Sequence, residues 1–250
     1  MYKRPTLLLF LSVCTFLSGF SQTWERGNQD PQATELWQPK VGKVIPGQMM
    51  APPSDAIVLF DGSSFDHWQH ADGSAVRWER TGDAMTVVKG TSGIQTKRGF
   101  GSVQLHIEWK SPEQLVGEGQ GRGNSGVFLM GTYEVQVLDS YSSETYSNGQ
   151  AGAVYKQNPP LVNACVETGE WNAYDIIFMA PVFGEEGQLL RPATITVLHN
   201  GVLVQNHFTL VGPTEYIGFP QYRAHASRLP LALQDHGNPV SFRNIWVREL

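Results

Sequence analysis

Apolar and polar residues alternate with a period of two along much of this chain. In Val103–Trp109, Val103, Leu105, Ile107 and Trp109 share one face, and Gln104, His106 and Glu108 share the other. Tyr133, Val135 and Val137 likewise alternate with Glu134 and Gln136. Successive side chains of a strand point to opposite faces, so both segments predict strands with an apolar back and an ionisable front. Further strands are predicted at 56–60, 76–80, 85–88, 126–130, 173–179, 193–199, 202–208 and 240–248. Thr81-Gly82-Asp83 reads as a hairpin, and Asn200-Gly201 between two apolar runs is the strongest hairpin signal in the chain. Helical periodicity is nearly absent. Many short strands at close spacing predict an all-β fold, a two-sheet sandwich of the jelly-roll kind.

Two segments stand apart. Residues 22–54 are polar and punctuated by proline. They read as an extended segment, with a short helix started by Asp30-Pro31 and running to Trp37. Residues 140–170 carry Tyr141, Tyr146 and Tyr155 among small polar residues and read as a long loop of the sort that holds function on a β scaffold.

The N-terminus has the order of a signal peptide over residues 1–21. Lys3 and Arg4 precede the apolar run Leu7–Phe16, and Gly19-Phe20-Ser21 precedes Gln22. The expectation is export to the periplasm or outer cell envelope, with no transmembrane span in the mature chain. Cys14 inside the apolar run is a weaker candidate for lipid attachment, since Val13 is a poor residue before such a cysteine. Cleavage leaves Cys165 alone, so no intramolecular disulfide is expected, and Cys165 reads as an inert, partly buried thiol.

Composition narrows the partners. The net charge is −5 and becomes −7 without residues 1–21, and no basic run follows them, which argues against nucleic acid. Only 16% of residues are charged, while Gly, Trp and Tyr are plentiful, a mix that fits a carbohydrate-facing extracytoplasmic protein. The glycines of 119–126 belong to no phosphate-binding motif. No His or Cys spacing marks a metal site, although Asp, Glu and loop carbonyls can hold Ca²⁺ or a similar divalent cation with little sequence trace.

Several segments together resemble a known family. They are VLFDGSSFDHW (58–68), HIEWK (106–110), GNSGVFLMGTYEVQVLDSY (123–141), GAVY (152–155), GEWNAYDIIF (169–178), VLHNGVLV (197–204) and LQDHGNPVSFRNIWVREL (233–250). Their order over residues 55–250 is similar to the 3-keto-disaccharide hydrolase family. The resemblance implies a concanavalin-like or jelly-roll sandwich over 55–250 and hydrolysis of glycosides whose sugar carries a ketone at carbon 3. Such a ketone acidifies the hydrogen on carbon 2. A base can remove it, the enediolate expels the group on carbon 1, and water then adds.

Glu134 is the first candidate for the base, with Glu108 and His236 as further catalytic candidates. His106, Arg122, Asn124, Gln136, Asp139, Tyr155, Lys156, Gln234 and Arg243 are candidates for binding substrate or steadying charge. Gln136 shares a strand face with Glu134 and is expected to orient a sugar hydroxyl. Asp139 has the opposite parity and serves a turn equally well. His236 follows Gln234-Asp235, in a segment expected to be extended over 231–236. A non-catalytic, lectin-like carbohydrate module and a structural envelope protein remain the alternatives. Convergence of Glu134, Glu108 and His236 in one cleft is the feature that would separate them.

Overall fold

The computed structural model describes residues 40, 42–48 and 50–250. The expected signal segment, Cys14 and the helix expected from Asp30 to Trp37 lie outside them. Among the described residues fifteen strands follow in chain order: β1 (Ile57–Phe60), β2 (Trp68–His70), β3 (Glu79–Thr81), β4 (Ala84–Thr86), β5 (Ile94–Phe100), β6 (Val103–Lys110), β7 (Ser125–Leu129), β8 (Tyr133–Val137), β9 (Asn172–Met179), β10 (Val182–Phe183), β11 (Leu189–Arg191), β12 (Thr194–His199), β13 (Val202–Thr209), β14 (Leu229–Leu233) and β15 (Ser241–Glu249).

They form an all-β sandwich. One sheet has the order β13-β12-β9-β6-β15-β4-β3, with β1 added on β15. The second has the order β2-β5-β14-β7-β8, and β10 pairs with β11 beside them. Every pairing is antiparallel. The core lies between the two larger sheets. Val103, Leu105, Ile107 and Trp109 of β6 enter it from one side, and Val127, Leu129, Tyr133, Val135 and Val137 of β7 and β8 from the other. The Tyr133 and Phe178 rings meet across it at 5.5 Å, and the Tyr174 hydroxyl donates to the Gln136 carbonyl at 2.7 Å. With the odd-numbered residues of β6 and β8 committed to the core, His106 and Glu108 face outward from the first sheet. Glu134 and Gln136 face outward from the second, on the other side of the molecule.

The predicted strands recur within a residue or two, except that the 76–80 and 85–88 arms shorten to β3 and β4. Asn200 (φ 51°) and Gly201 (φ 78°) form the turn between β12 and β13, the paired left-handed conformations that a two-residue hairpin requires. Two strands of the second sheet carry little alternation. In β5, Thr96 turns its hydroxyl to the Leu231 amide at 3.0 Å, so a side chain replaces a ladder bond. In β14, Pro230 sits where the register with β5 shifts, the one kind of place in a sheet where its missing N–H is tolerated.

Candidate active site

The outer face of the second sheet carries a cleft of about 560 Å³. Its floor is set by register. Gly126 pairs with Gln136 and Phe128 with Glu134 across β7 and β8, while Ala232 of β14 pairs with Phe128. Beyond β8 the chain returns as an added edge. Gln136 and Ala153 bond through backbone at 3.0 Å, the Tyr155 amide donates to the Glu134 carbonyl at 3.3 Å, and Val154 bridges Val135. This return sets Tyr155 beside Glu134. On the other side the Gln234 amide donates to the Gly126 carbonyl at 3.1 Å, which brings the segment with Gln234 and His236 to the rim.

Loops raise the walls. Gln120 is tied by its amide to Gly149 O (2.9 Å) and Thr145 Oγ1 (3.1 Å), and Asn124 donates to Gln120 O at 2.7 Å. Thr214 accepts the Glu134 amide on its hydroxyl at 3.0 Å and donates its own amide to Thr132 O at 2.8 Å, so the loop bearing Tyr216 is pinned to β8. All five residues of β8 are buried, because these walls cover the face that would otherwise meet water.

Glu134 is only 5% exposed. Burial pushes its pKa up to about 8, and no charge among the described residues offsets it. The site therefore holds a carboxyl that changes protonation near neutrality instead of at the usual acidic pH. With its nitrogen turned inward, Gln136 donates to Glu134 Oε1 (3.1 Å) and Ser125 O (3.3 Å); turned the other way, it donates to Gln120 Oε1 at 3.0 Å. The Tyr155 and Tyr146 hydroxyls share a hydrogen bond of 2.6 Å. Burial, then the bond to Tyr146, raise the Tyr155 pKa, so its phenol stays protonated. Two phenols carry two protons and their mutual bond uses one, leaving one to donate into the cleft. The Lys156 ammonium donates to Tyr216 O at 2.6 Å and lies 4.4 Å from the Tyr216 ring centre and 5.9 Å from those of Tyr146 and Tyr155. Its backbone is left-handed (φ 58°), a conformation that costs a lysine energy and is held by the Lys156 amide bond to Asn148 O at 2.8 Å.

Of the residues singled out by sequence, Glu134, His236, Asn124, Gln136, Tyr155, Lys156 and Gln234 line this cleft. Gln136 is 1% exposed, and its amide is spent on the cleft's own groups, where a sugar hydroxyl was expected. The other candidates lie elsewhere. Glu108, His106 and Arg243 sit together on the outer face of the first sheet. Glu108 accepts from Arg243 Nε at 2.6 Å and Asn244 Nδ2 at 2.8 Å, and His106 bonds Asp175 at 2.8 Å beneath the Trp246 ring. Burial opposes charge on both groups, and these contacts outweigh it. The His106 pKa rises to about 9 and that of Glu108 falls to about 2, so the pair is a locked ion network. Asn244 and Trp246 of this face also donate to Met50 O, at 3.1 and 3.2 Å. Asp139 is buried, and it accepts from Ser111 at 3.0 Å and Thr168 at 2.7 Å while Arg122 stands 3.5 Å away; both brace the loops behind β8. Cys165 is a free thiol pushed up to about 12 by burial.

Gln120, Phe128, Tyr146, Thr214 and Tyr216 complete the lining and were not among the sequence candidates. Phe128 had a usable signal, since it shares a strand face with Gly126. Thr214 and Tyr216 lie in an irregular stretch where no periodicity exists. Glu134 is the one carboxylate of the lining, and among the described residues no three His, Cys, Asp or Glu side chains gather as a metal set would. No helix among them is long and apolar enough to cross a membrane.

The family model described as the 3-keto-alpha-glucoside-1,2-lyase-like domain matches residues 55–248, and the chain belongs to this family. A Parabacteroides distasonis protein described as a "putative glycosyl hydrolase" is 49% identical, with a TM-score of 0.85 over 88% of this chain and 96% of its own. A second structure from the same organism, under the same description, shares 21% identity and the fold, with a TM-score of 0.57 over 78% of this chain and 94% of that one. No curated protein matches the chain significantly. Family and fold together place the chain among carbohydrate-processing, glycosyl hydrolase-like proteins.

Proposed function

We propose that the protein is an exported hydrolase of 3-keto-glycosides that works by elimination and hydration, with Glu134 as the base. One observation carries this reading: a single, desolvated carboxyl in a cleft that holds no second carboxylate. Direct displacement by a retaining glycosidase needs two carboxyl groups about 5–5.5 Å apart. Here Glu108 is on the opposite face, and Asp139 is spent on Ser111 and Thr168. A carbon acid next to a ketone needs one base with a pKa near the working pH, and burial supplies it. The family description names a 1,2-lyase, which supports the elimination step.

Glu134 carboxylate takes the carbon-2 proton, and the C–H electrons form a C2=C3 double bond, which leaves negative charge on the carbon-3 oxygen. The free proton of the Tyr146–Tyr155 pair and the Lys156 ammonium stabilise that oxygen. The enediolate then re-forms the ketone, makes a C1=C2 double bond and breaks the bond from carbon 1 to the leaving oxygen, which takes a proton from His236 at the rim. Water adds its oxygen to carbon 1 and returns a proton to His236, and Glu134 returns one to carbon 2. Aromatic rings and the amide of Gln234 suit the apolar faces and hydroxyl edges of a sugar.

A lectin-like module is the weaker reading, because a binding surface gains nothing from a carboxyl whose burial costs stability. Export rests on the charged, apolar and small residues of 1–21. The deciding assay is release of 3-keto-glucose from 3-keto-glucosides by the pure protein: steady release supports the reading, and binding without turnover replaces it with the lectin.

A further inference from the structure

The outer face of the second sheet has a second concavity, of about 250 Å³, that nothing in the mechanism uses. Phe128 and Gln234 line both it and the cleft. Register places the two in line. Gln95 of β5 pairs with Ala232 of β14, Ala232 with Phe128 of β7, and Phe128 with Glu134 of β8. Neighbouring strands lie about 4.8 Å apart, so Ala232 is about 10 Å from Glu134, with the Phe128 ring between them. The carbon-1 substituent of a sugar whose carbon 2 meets Glu134 reaches this row when it projects across the Phe128 ring.

Resting on the function proposed above, we propose that the groove over Ala232 is the subsite for the leaving group and that it takes a flat aromatic aglycone. Its lining contains no charged side chain. Ala232, Gly131 and Ala71 leave room, the Phe128 ring forms one wall, and polar side chains come only from Ser92, Gln95 and Gln234. A second sugar brings several hydroxyls, each of which needs a partner on leaving water. An aryl ring brings none, and a phenolic oxygen–hydrogen group on it would find Gln234 Oε1, which is buried without a partner.

Ligand-observed NMR titration of phenyl and methyl α-glucosides, both unoxidised, tests the subsite without any turnover. The wild-type protein should bind the phenyl compound about tenfold more tightly or better, the gain expected from burying one ring. Ala232→Leu, which fills the floor, and Ala71→Trp, which closes the far wall from an exposed turn, should each erase that preference, and Ala71→Trp should leave methyl glucoside binding unchanged. Equal affinities in the wild type, or equal weakening of both ligands in both variants, would overturn the subsite. Hydrolysis of the 3-keto forms is scored separately. Its absence would count against the catalytic reading, and the binding preference would still decide the subsite.

Discussion

Gly126 lies directly beneath the carboxyl group of Glu134. A methyl group at Gly126 would collide with Glu134 Oε1 and with the edge of the Phe128 ring 2.7 Å away. Neither obstacle is backbone, so the fold can absorb the change by moving two side-chain ends. Gly126→Ala should therefore fold, with a loss of about 1–2 kcal/mol. It should lose about 10²-fold in kcat, because a misplacement near 1 Å is enough to spoil proton abstraction. Thermal unfolding beside turnover of a 3-keto-glucoside checks both halves.

Glu134→Gln should lower turnover by about 10²–10⁴-fold. It should also make the protein more stable in alkaline solution. The folded-state pKa of Glu134 is about 8, against an ordinary 4.5. Between those values the unfolded chain releases a proton that the folded chain keeps, so wild-type stability falls as pH rises from about 4.5 through 8. A glutamine has no such penalty. Denaturant unfolding at pH 5 and pH 8.5 should show the variant gaining on the wild type by a few kcal/mol at the higher pH. In the wild type, kcat/KM should rise with pH through the neutral range as Glu134 ionises.

The network on the opposite face should affect stability and leave chemistry alone. Glu108→Gln breaks a half-buried pair with Arg243 and should cost about 3 kcal/mol, with turnover within about twofold of wild type at a temperature where both are folded. His106 adds a pH signature of its own. Its pKa is raised from 6.5 to about 9, so its contribution is full below 6.5 and lost as pH rises through 9. Loss of activity in Glu108→Gln at matched folding would return that residue to the catalytic list.

Lys156→Met keeps the length of the side chain and removes the ammonium. If that charge steadies the oxygen on carbon 3, kcat should fall about 10²–10³-fold with KM changed little. Stopped assays over a range of substrate concentration separate the two constants.

Alternation along β6 and β8 made the sandwich, and the shared faces of Glu134 with Gln136 and of His106 with Glu108, readable from residues alone. It could not say that the two polar faces look in opposite directions. Period two fixes which side chains travel together along a strand, and the assignment of β6 and β8 to different sheets depends on pairings between residues more than 30 apart in sequence. That is why Glu108 and Arg243 joined the candidates and belong to another surface. The Gly126 floor showed itself as a glycine on the polar face of a strand. Thr214 and Tyr216 reach the cleft through hydrogen bonds between an irregular loop and Glu134 of β8 and Lys156, both far away in sequence, a placement with no local signature. Pro230 and the hydroxyl substitution at Thr96 hid two strands of the sheet that forms the cleft floor.

In the proposed mechanism Glu134 breaks the carbon-2 to hydrogen bond of a 3-keto sugar. Turnover in heavy water tests it most directly. Water must enter the cleft for the hydration step and meets the Glu134 carboxyl there, so that step should deliver deuterium to carbon 2 of the released 3-keto sugar, above the slow exchange in an enzyme-free control. Product released at the full rate with hydrogen retained at carbon 2, at the level of that control, would contradict elimination and point to direct displacement at carbon 1.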